Sequence, residues 1–488
     1  MNLDKLLTVL GLATSDQREI TGLSFDSRMV EPGHLFVAVK GQTVDGYDYI
    51  DQAVSKGATA VISEKNWRGC VPNFTVKNSR RALGFLADQF YRHPSRSINL
   101  IGVTGTNGKT TSTYLIYHIL KTLGRKPGLL GTVWNEVAGQ RTKATHTTPD
   151  SLFLQKAAAK SRDYGSKDLI IEVSSHALDQ ERVAGLRFAV GAFTNLSHDH
   201  LDYHGSFQEY RKAKGRLFEN LNSDATAVLN AHDPESMRFA RDTPAKILKY
   251  GVGDRGRLRA EIARMDLDGT EVVFFLEKTR CRLHCGLIGR HNIENLLTAL
   301  GVVMSLGIDL QEAVSTLEGL RGVPGRLERV SESHQPAVFV DYAHTDDALD
   351  RVLGTLRPLT RGRLTVVFGC GGDRDQSKRP LMAKAAARWG DQIYLTSDNP
   401  RSEDPEDIAN QTKVGFGTGP FQVILDRSEA IDRAIAEAKH GDVVLIAGKG
   451  HEDYQIFKDR TIDFDDRLEA RHALNVHHSG PPPRAAVA

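Results

Sequence analysis

The sequence predicts an α/β protein of three domains, and three observations carry that expectation. Strand-like runs alternate with helical periodicity through most of the chain, which is the pattern of parallel βα units. A glycine-rich turn, GVTGTNGKTT at 102–111, sits between one such strand and a helix. The length, 488 residues, is room for roughly three domains of ~150 residues. The expected division is an N-terminal α/β module over 1–97, then a central mostly parallel sheet with helices on both faces over 98–323. A Rossmann-like α/β domain over 324–476 and a disordered tail over 477–488 complete it.

In the first module the strand-like runs are LFVAV (35–39) and ATAVIS (58–63), with helical periodicity over 48–57 and 79–91. HPSRS (93–97) breaks the pattern and reads as a linker. Next come INLIGV (98–103), a helix over 109–123, and the runs DLIIEV (168–173), GAFTNL (191–196) and TAVLN (226–230). Over 260–276 two extended runs meet at Asp268-Gly269, a hairpin signal. Helices are expected over 292–306 and 310–319, and GVPGR (322–326) marks the next boundary. AVFVDY (337–342), LTVVFG (364–369), QIYLTS (392–397) and DVVLIA (442–447) repeat the alternation, each before a turn and a helical pattern. The end, HHSGPPPRAAVA, is proline-rich.

Composition excludes several classes. Hydrophobic residues are 40% and charged residues 25%, ordinary for a globular chain. Lys plus Arg is 63 and Asp plus Glu 61, so no global basic field points to nucleic acid. Cys70, Cys281, Cys285 and Cys370 are too few for a disulfide scaffold, and Cys281 and Cys285 read as core residues. The most apolar helical stretch, 296–306, is interrupted by Thr298, Gly301 and Ser305, so no membrane insertion is expected. The N-terminus has no signal-peptide pattern, and a cytoplasmic monomer is expected.

The glycine-rich turn has a readable chemistry. Backbone amides of such a loop and the start of the following helix can cradle phosphate oxygens. Lys109 can reach the β- and γ-phosphates, and Thr110 can ligate Mg²⁺. Val103 stands where the strict P-loop pattern has glycine, so this is a variant loop. Glu172, ending a parallel strand, points toward the crevice where α/β ligands bind and suits a hard cation. NLSHDHLDYHG (195–205) packs His198, Asp199, His200, Asp202 and His204 together. Imidazole-rich loops suit zinc; beside a phosphate loop, the Mg-nucleotide reading is favoured. YRKAKGRLF (210–218) has the periodicity of a basic amphipathic helix.

Taken in order, GVTGTNGKTT, EVSSHAL, FTNLSHDHLDYHG, AKGRLF, LIGRHNIENLLTA, GVPGRLE, VDYAHT, FGCGGDRD, DNPRSEDP and GKGHEDYQ resemble the Mur ligases. DSR (26–28) and GHLFVAVKG (33–41) extend the resemblance into the first module. DNPR (398–401) is similar to the motif of family members that add meso-diaminopimelate rather than lysine. Diaminopimelate carries a second carboxylate, and an arginine such as Arg401 can grip it with two parallel hydrogen bonds.

The resemblance implies an ATP-dependent amide ligase with Mg²⁺, acting on UDP-MurNAc-L-Ala-D-Glu and meso-diaminopimelate. It implies catalytic roles for Lys109, Glu172, His200 and Lys214, the last as a carbamate. Thr110, Glu172, His200 and carbamylated Lys214 are the implied metal ligands. Gly105, Thr106, Asn107, Gly108, Lys109, Thr110, Thr111, Asn295 and Arg326 are implied at ATP. Phe25, Ser27, Gln42, Thr43, Val44, Thr147, Thr148, Ser174, Gln180 and Arg182 are implied at the UDP-muramoyl dipeptide. Arg374, Asp398, Asn399, Pro400, Arg401, Gly448 and Glu452 are implied at diaminopimelate. Domain closure is expected, shielding an acyl phosphate from water. Two departures stand out. His146 occupies a position where relatives have asparagine, and Asp346 one where they have proline; Asp346 is expected to cap the next helix. The rival readings are a lysine-adding ligase, a folylpolyglutamate-synthase-type ligase, a P-loop ATPase without ligation, and an inactive UDP-sugar sensor.

Overall fold

The computed structural model describes residues 1–41, 44–197 and 199–479. Gln42, Thr43, His198 and the tail beyond 479 lie outside the described residues. The rest forms two compact units. The first holds Met1–Gly251, Arg255–Leu258 and Leu297–Thr316; the second holds Val252–Asp254, Arg259–Leu296 and the chain from Leu317 onward.

In the first unit, strands Gly22–Ser24, His34–Val37, Ala60–Ser63 and Asn73–Thr75 pair in parallel, in chain order. Helices Leu3–Leu7 and Ser79–Phe90 cover one face, burying Leu3, Leu6, Leu83 and Leu86 against Leu35, Val37 and Ile62. The HPSRS segment is a single turn, Pro94–Arg96, rather than an exposed linker. Pro94 and Ser95 are buried, Ser95 Oγ accepts from Arg187 N at 3.1 Å, and the His93 ring meets the Asp88 carboxylate at 2.7 Å.

A second sheet of this unit runs Lys246–Val252, Thr226–Asn230, Val190–Phe193, Asn99–Thr104, Asp168–Glu172, Gly128–Leu130, all parallel. Trp134–Val137 and Gln140–Lys143 then add in antiparallel sense. Asn99–Thr104 and Asp168–Glu172 lie in the interior of the sheet, so their residues are buried on both sides and read as continuous apolar runs. Side chains such as Leu100, Leu169, Ile171, Phe193 and Leu229 pack into one core.

In the second unit, Gly269–Leu276 and Thr279–Cys285 form an antiparallel hairpin, and Cys281 and Cys285 are buried in it, as expected of core residues. The predicted hairpin turn sits between strands Leu258–Asp266 and Gly269–Leu276. The main sheet here runs Glu328–Arg329, Ala337–Asp341, Val443–Ala447, Leu364–Phe368, Gln392–Leu395, Gln422–Val423. All its pairs are parallel except the first. Apolar side chains fill both faces, Phe339, Val366 and Leu445 toward one and Val340, Val367 and Ile446 toward the other.

Two expectations need correction. Thr345, not Asp346, caps helix Asp346–Leu356, its side chain accepting from Ala348 N at 3.3 Å. Asp346 is the first helical residue and acts only through its charge near the positive helix end. The tail also begins later than 477. Helix Asp466–His477 includes His477, which meets Asp432 at 2.9 Å, and His478 Nε2 lies 2.8 Å from Ile435 O. Proline-rich composition marked the tail, but these two imidazoles have folded partners.

Candidate active site

The phosphate loop leaves strand Asn99–Thr104 at its carboxyl end and enters helix Lys109–Thr122. Gly105 has φ +152°, and a side chain there would meet Thr194 Oγ1 at 1.9 Å. Glycine is therefore required by both backbone and space. Gly108, at φ +85°, starts the helix. Asn195, from the end of the neighbouring strand, braces the loop: its Oδ1 accepts from Asn107 N at 3.0 Å, and its carbonyl accepts from Thr106 N at 2.8 Å. Thr106 Oγ1 lies 3.0 Å from the Tyr210 hydroxyl. These two amides of the loop are committed to the fold.

Two lysines converge on the loop. Lys109 Nζ donates to Gly105 O at 2.7 Å and Thr106 O at 2.9 Å, and Lys214 Nζ donates to Gly105 O at 2.8 Å. Lys214 comes from helix Phe207–Glu219, started by Ser206, whose hydroxyl accepts from Glu209 N. Its side chain is fully buried and passes over the Tyr210 ring at 4.7 Å. Burial, and then the neighbouring Lys109 charge, hold its amine well below the usual lysine range. A neutral amine is the form that attacks CO₂, so the environment suits the carbamate that the family resemblance implies.

Glu172 ends the adjacent strand, paired with Val103, and is 1% exposed. Its Oε2 accepts from Thr110 Oγ1 at 2.9 Å and Thr132 Oγ1 at 3.0 Å, and its Oε1 accepts from Thr132 N at 2.9 Å. Among the described residues no ion pair reaches it. A buried carboxylate without a counter-charge is costly, and oxygen donors around it fit a hard divalent cation such as Mg²⁺. His200 precedes the short helix Leu201–His204. It is half exposed at φ +53°, 3.5 Å from Asp199, with its ring 4.8 Å from that of His176. No group of three or more His, Cys, Asp or Glu placed to hold a metal occurs among the described residues, which do not include His198.

Beside Glu172, Thr148 Oγ1 donates to Glu172 O at 2.7 Å and accepts from Ser174 N at 3.0 Å, and Thr132 Oγ1 lies 3.2 Å from Thr147 Oγ1. Arg182 donates to Thr148 O at 2.7 Å and Gln180 Oε1 at 2.9 Å. Thr147, Thr148, Ser174, Gln180 and Arg182 thus form one connected group. His146 is exposed, its ring near Thr145 Oγ1. In the first sheet Ser27 Oγ donates to Gln52 Oε1 at 2.6 Å, Phe25 packs against the core, and Val44 is exposed.

The second unit gathers the candidates implied for diaminopimelate at the carboxyl ends of three adjacent parallel strands, where α/β ligands bind. Arg401 stands at φ +55°, its amide donating to Ile456 O at 3.0 Å and its guanidinium to Gly372 O at 2.7 Å. Arg374 is exposed and donates to Asp373 O. Gly448 has φ +118°, and a side chain there would come within 2.6 Å of Asp398 Oδ2. Asn399 Nδ2 donates to Glu452 Oε2 at 2.9 Å, and Pro400 O abuts Gly372. Elsewhere in this unit, Asn295 donates to Asn292 at 3.2 Å and Arg326 lies over the Tyr342 ring at 4.5 Å.

Sequence reasoning missed Thr132, Asn195 and Lys449. Nothing in the pattern marks Thr132 or Asn195 as a support of the neighbouring turn. Lys449 did carry a signal, a lysine between two glycines, but its burial is a tertiary fact.

Three family models match the chain: the Mur ligase family catalytic domain over 19–91, the Mur ligase middle domain over 103–303, and the Mur ligase glutamate ligase domain over 325–450. The chain belongs to the Mur ligase family. A UDP-N-acetylmuramoyl-L-alanyl-D-glutamate--2,6-diaminopimelate ligase of Halalkalibacterium halodurans is 46% identical, over 93% of this chain and 94% of that one. The Gloeobacter violaceus protein of the same name is 44% identical over 98% and 99%. A solved structure bearing this name superposes with a TM-score of 0.72 at 34% identity, covering 98% of this Mur ligase and 100% of that chain. No helix among the described residues is long and apolar enough to cross a membrane.

Proposed function

We propose that this Mur ligase adds meso-diaminopimelate to the D-Glu γ-carboxylate of UDP-MurNAc-L-Ala-D-Glu, with ATP as co-substrate, in peptidoglycan precursor synthesis. The observation that carries the reading is that eight curated relatives, 41–46% identical over 93% or more of the chain, share that one activity in their names. The Arg401 guanidinium, anchored on the Gly372 and Asn399 carbonyls, adds a chemical reason: it can take the carboxylate that lysine lacks.

A free carboxylate is a poor electrophile. Its oxygen attacks the γ-phosphorus of ATP, ADP leaves, and the acyl phosphate gains a leaving group. The diaminopimelate amine then attacks the acyl carbon through a tetrahedral intermediate, and phosphate departs as the amide forms. Lys109 and the start of helix Lys109–Thr122 neutralise the transferring phosphoryl group. Thr147, Thr148, Ser174, Gln180 and Arg182 hold the muramoyl dipeptide, with Phe25, Ser27, Gln42, Thr43 and Val44 on the uridine end. Asn295 and Arg326 complete the nucleotide contacts. Thr110, Glu172, His200 and carbamylated Lys214 would hold Mg²⁺, which when bound spreads the charge of the phosphate oxygens. The division into domains 1–97, 98–323 and 324–476 belongs to the same reading.

An amine-swap assay tests it. The protein receives Mg-ATP and UDP-MurNAc-L-Ala-D-Glu with meso-diaminopimelate, L-lysine or no amine, and both phosphate and product mass are read. A tripeptide product with diaminopimelate alone is expected. Product mainly with lysine would overturn the specificity, and phosphate release without an amide would make the protein an ATPase.

A further inference from the structure

Lys449 is a lysine whose side chain is fully buried, and the mechanism above does not use it. It follows strand Val443–Ala447 in the turn Gly448-Lys449-Gly450, and both glycines have positive φ, +118° and +55°. That backbone turns the lysine side chain inward. Its ammonium lies 3.1 Å from Asn399 Oδ1 and 3.3 Å from Glu452 Oε2. The Tyr454 ring lies alongside, 5.5 Å from Nζ to its centroid.

These contacts settle the orientation of two groups assigned above to diaminopimelate. Asn399 Oδ1 accepts from Lys449 and from Ile456 N at 3.0 Å, and its Nδ2 donates to Glu452 Oε2 at 2.9 Å. A flipped amide would aim its NH₂ at two donors, so the side chain has one orientation. Glu452 in turn spends Oε2 on Asn399 and Lys449, which leaves Oε1, without a partner among the described residues, as the face for an incoming ammonium group.

We infer that Lys449 is a positioning residue for the amino-acid substrate: it locks Asn399 and Glu452 so that Glu452 Oε1 meets an ammonium group of a diamino acid. The inference rests on the reading of this site under Proposed function. Without the lysine, the Glu452 carboxylate loses its cation and can turn away, and the Asn399 amide keeps one anchor fewer. A buried polar network acts as a unit, so loss of one member is felt through the others.

The test compares Lys449→Met with Lys449→Gln, which keeps a donor for Asn399 but not the charge. Michaelis constants for meso-diaminopimelate, ATP and UDP-MurNAc-L-Ala-D-Glu are measured separately, with thermal melting of each variant. Lys449→Met is expected to raise the KM for diaminopimelate tenfold or more while the other two stay within twofold, with Lys449→Gln between. In a Glu452→Gln background, Lys449→Met is expected to add less than twofold, because its effect runs through that carboxylate. If Lys449→Met does not fold, Lys449→Gln carries the same comparison. An unchanged KM for diaminopimelate, an equal rise in all three constants, or full additivity with Glu452→Gln would each overturn the inference. Wild-type protein that forms no amide with diaminopimelate would instead overturn the reading of the site, and the inference with it.

Discussion

At the scale of single residues, the local environments of Arg401 and Lys214 suit the roles proposed for them. Arg401 holds a left-handed backbone, rare outside glycine, because its amide and guanidinium are both tied to neighbouring carbonyls. Its planar fork is not replaceable by a point charge. Arg401→Ala and Arg401→Lys are both expected to raise the KM for diaminopimelate by about 10–100-fold, the loss of charge-assisted hydrogen bonds worth ~1.5–3 kcal/mol. The KM for ATP should not move; an equal loss for both substrates would remove Arg401 from the amino-acid site. For Lys214, protein equilibrated with ¹³C-bicarbonate should show a carbamate carbon resonance that is absent from Lys214→Gln. The same resonance in both would place the modification elsewhere.

At the scale of elements, the ends of parallel strands carry the candidate chemistry, and buried ion pairs hold those ends in register. Arg427 and Asp466 are both fully buried and doubly hydrogen-bonded at 2.7 Å. Arg427 also donates to Ala447 O at 3.0 Å and Ser397 O at 3.4 Å, the residues before Gly448 and Asp398. One side chain thus spans two segments that carry residues proposed for the amino-acid site. Asp466→Ala leaves the guanidinium buried without its anion and should cost about 3–5 kcal/mol, seen as a large fall in melting temperature. A fall no larger than that of a surface substitution would show that the pair is dispensable. Strand centres such as DLIIEV and TAVLN were legible because apolar β-branched runs have one reading when buried on both faces. The short strands Gly128–Leu130, Trp134–Val137 and Gln140–Lys143 were not, since runs of three or four residues are too short to carry a periodic signal and exist through their pairing.

At the scale of the whole molecule, burial gives the protein a shared sensitivity to acid. Burial, more than any neighbouring charge, pushes His176 and His291 down to about 4 and His451 to about 3. In the unfolded chain each takes a proton near 6.5, while the folded protein refuses it until far lower pH. Their contribution is therefore complete above about 6.5 and is lost as pH falls toward 4. Discounted for partial exposure, each is worth about 1 kcal/mol. Melting temperature should drop between pH 7 and 4.5, and a His176→Gln, His451→Gln double variant should drop less. Parallel curves for the two proteins would show that these histidines titrate normally.

The sequence by itself determined the α/β class, the places of the main strands along the chain and the glycine-rich turn between a strand and a helix, because glycine spacing, buried apolar runs and a lysine at a helix start are local constraints. The resemblance also marked DNPR and Gly448. Only the tertiary structure decided which groups meet. Glu172 is held by Thr110 and Thr132, and Lys109 and Lys214 share one carbonyl. Asn399, Lys449 and Glu452 close into one network, although 50 residues separate the first two. Such pairings depend on strand order and register, and a lysine becomes a buried amine only through what other segments place around it.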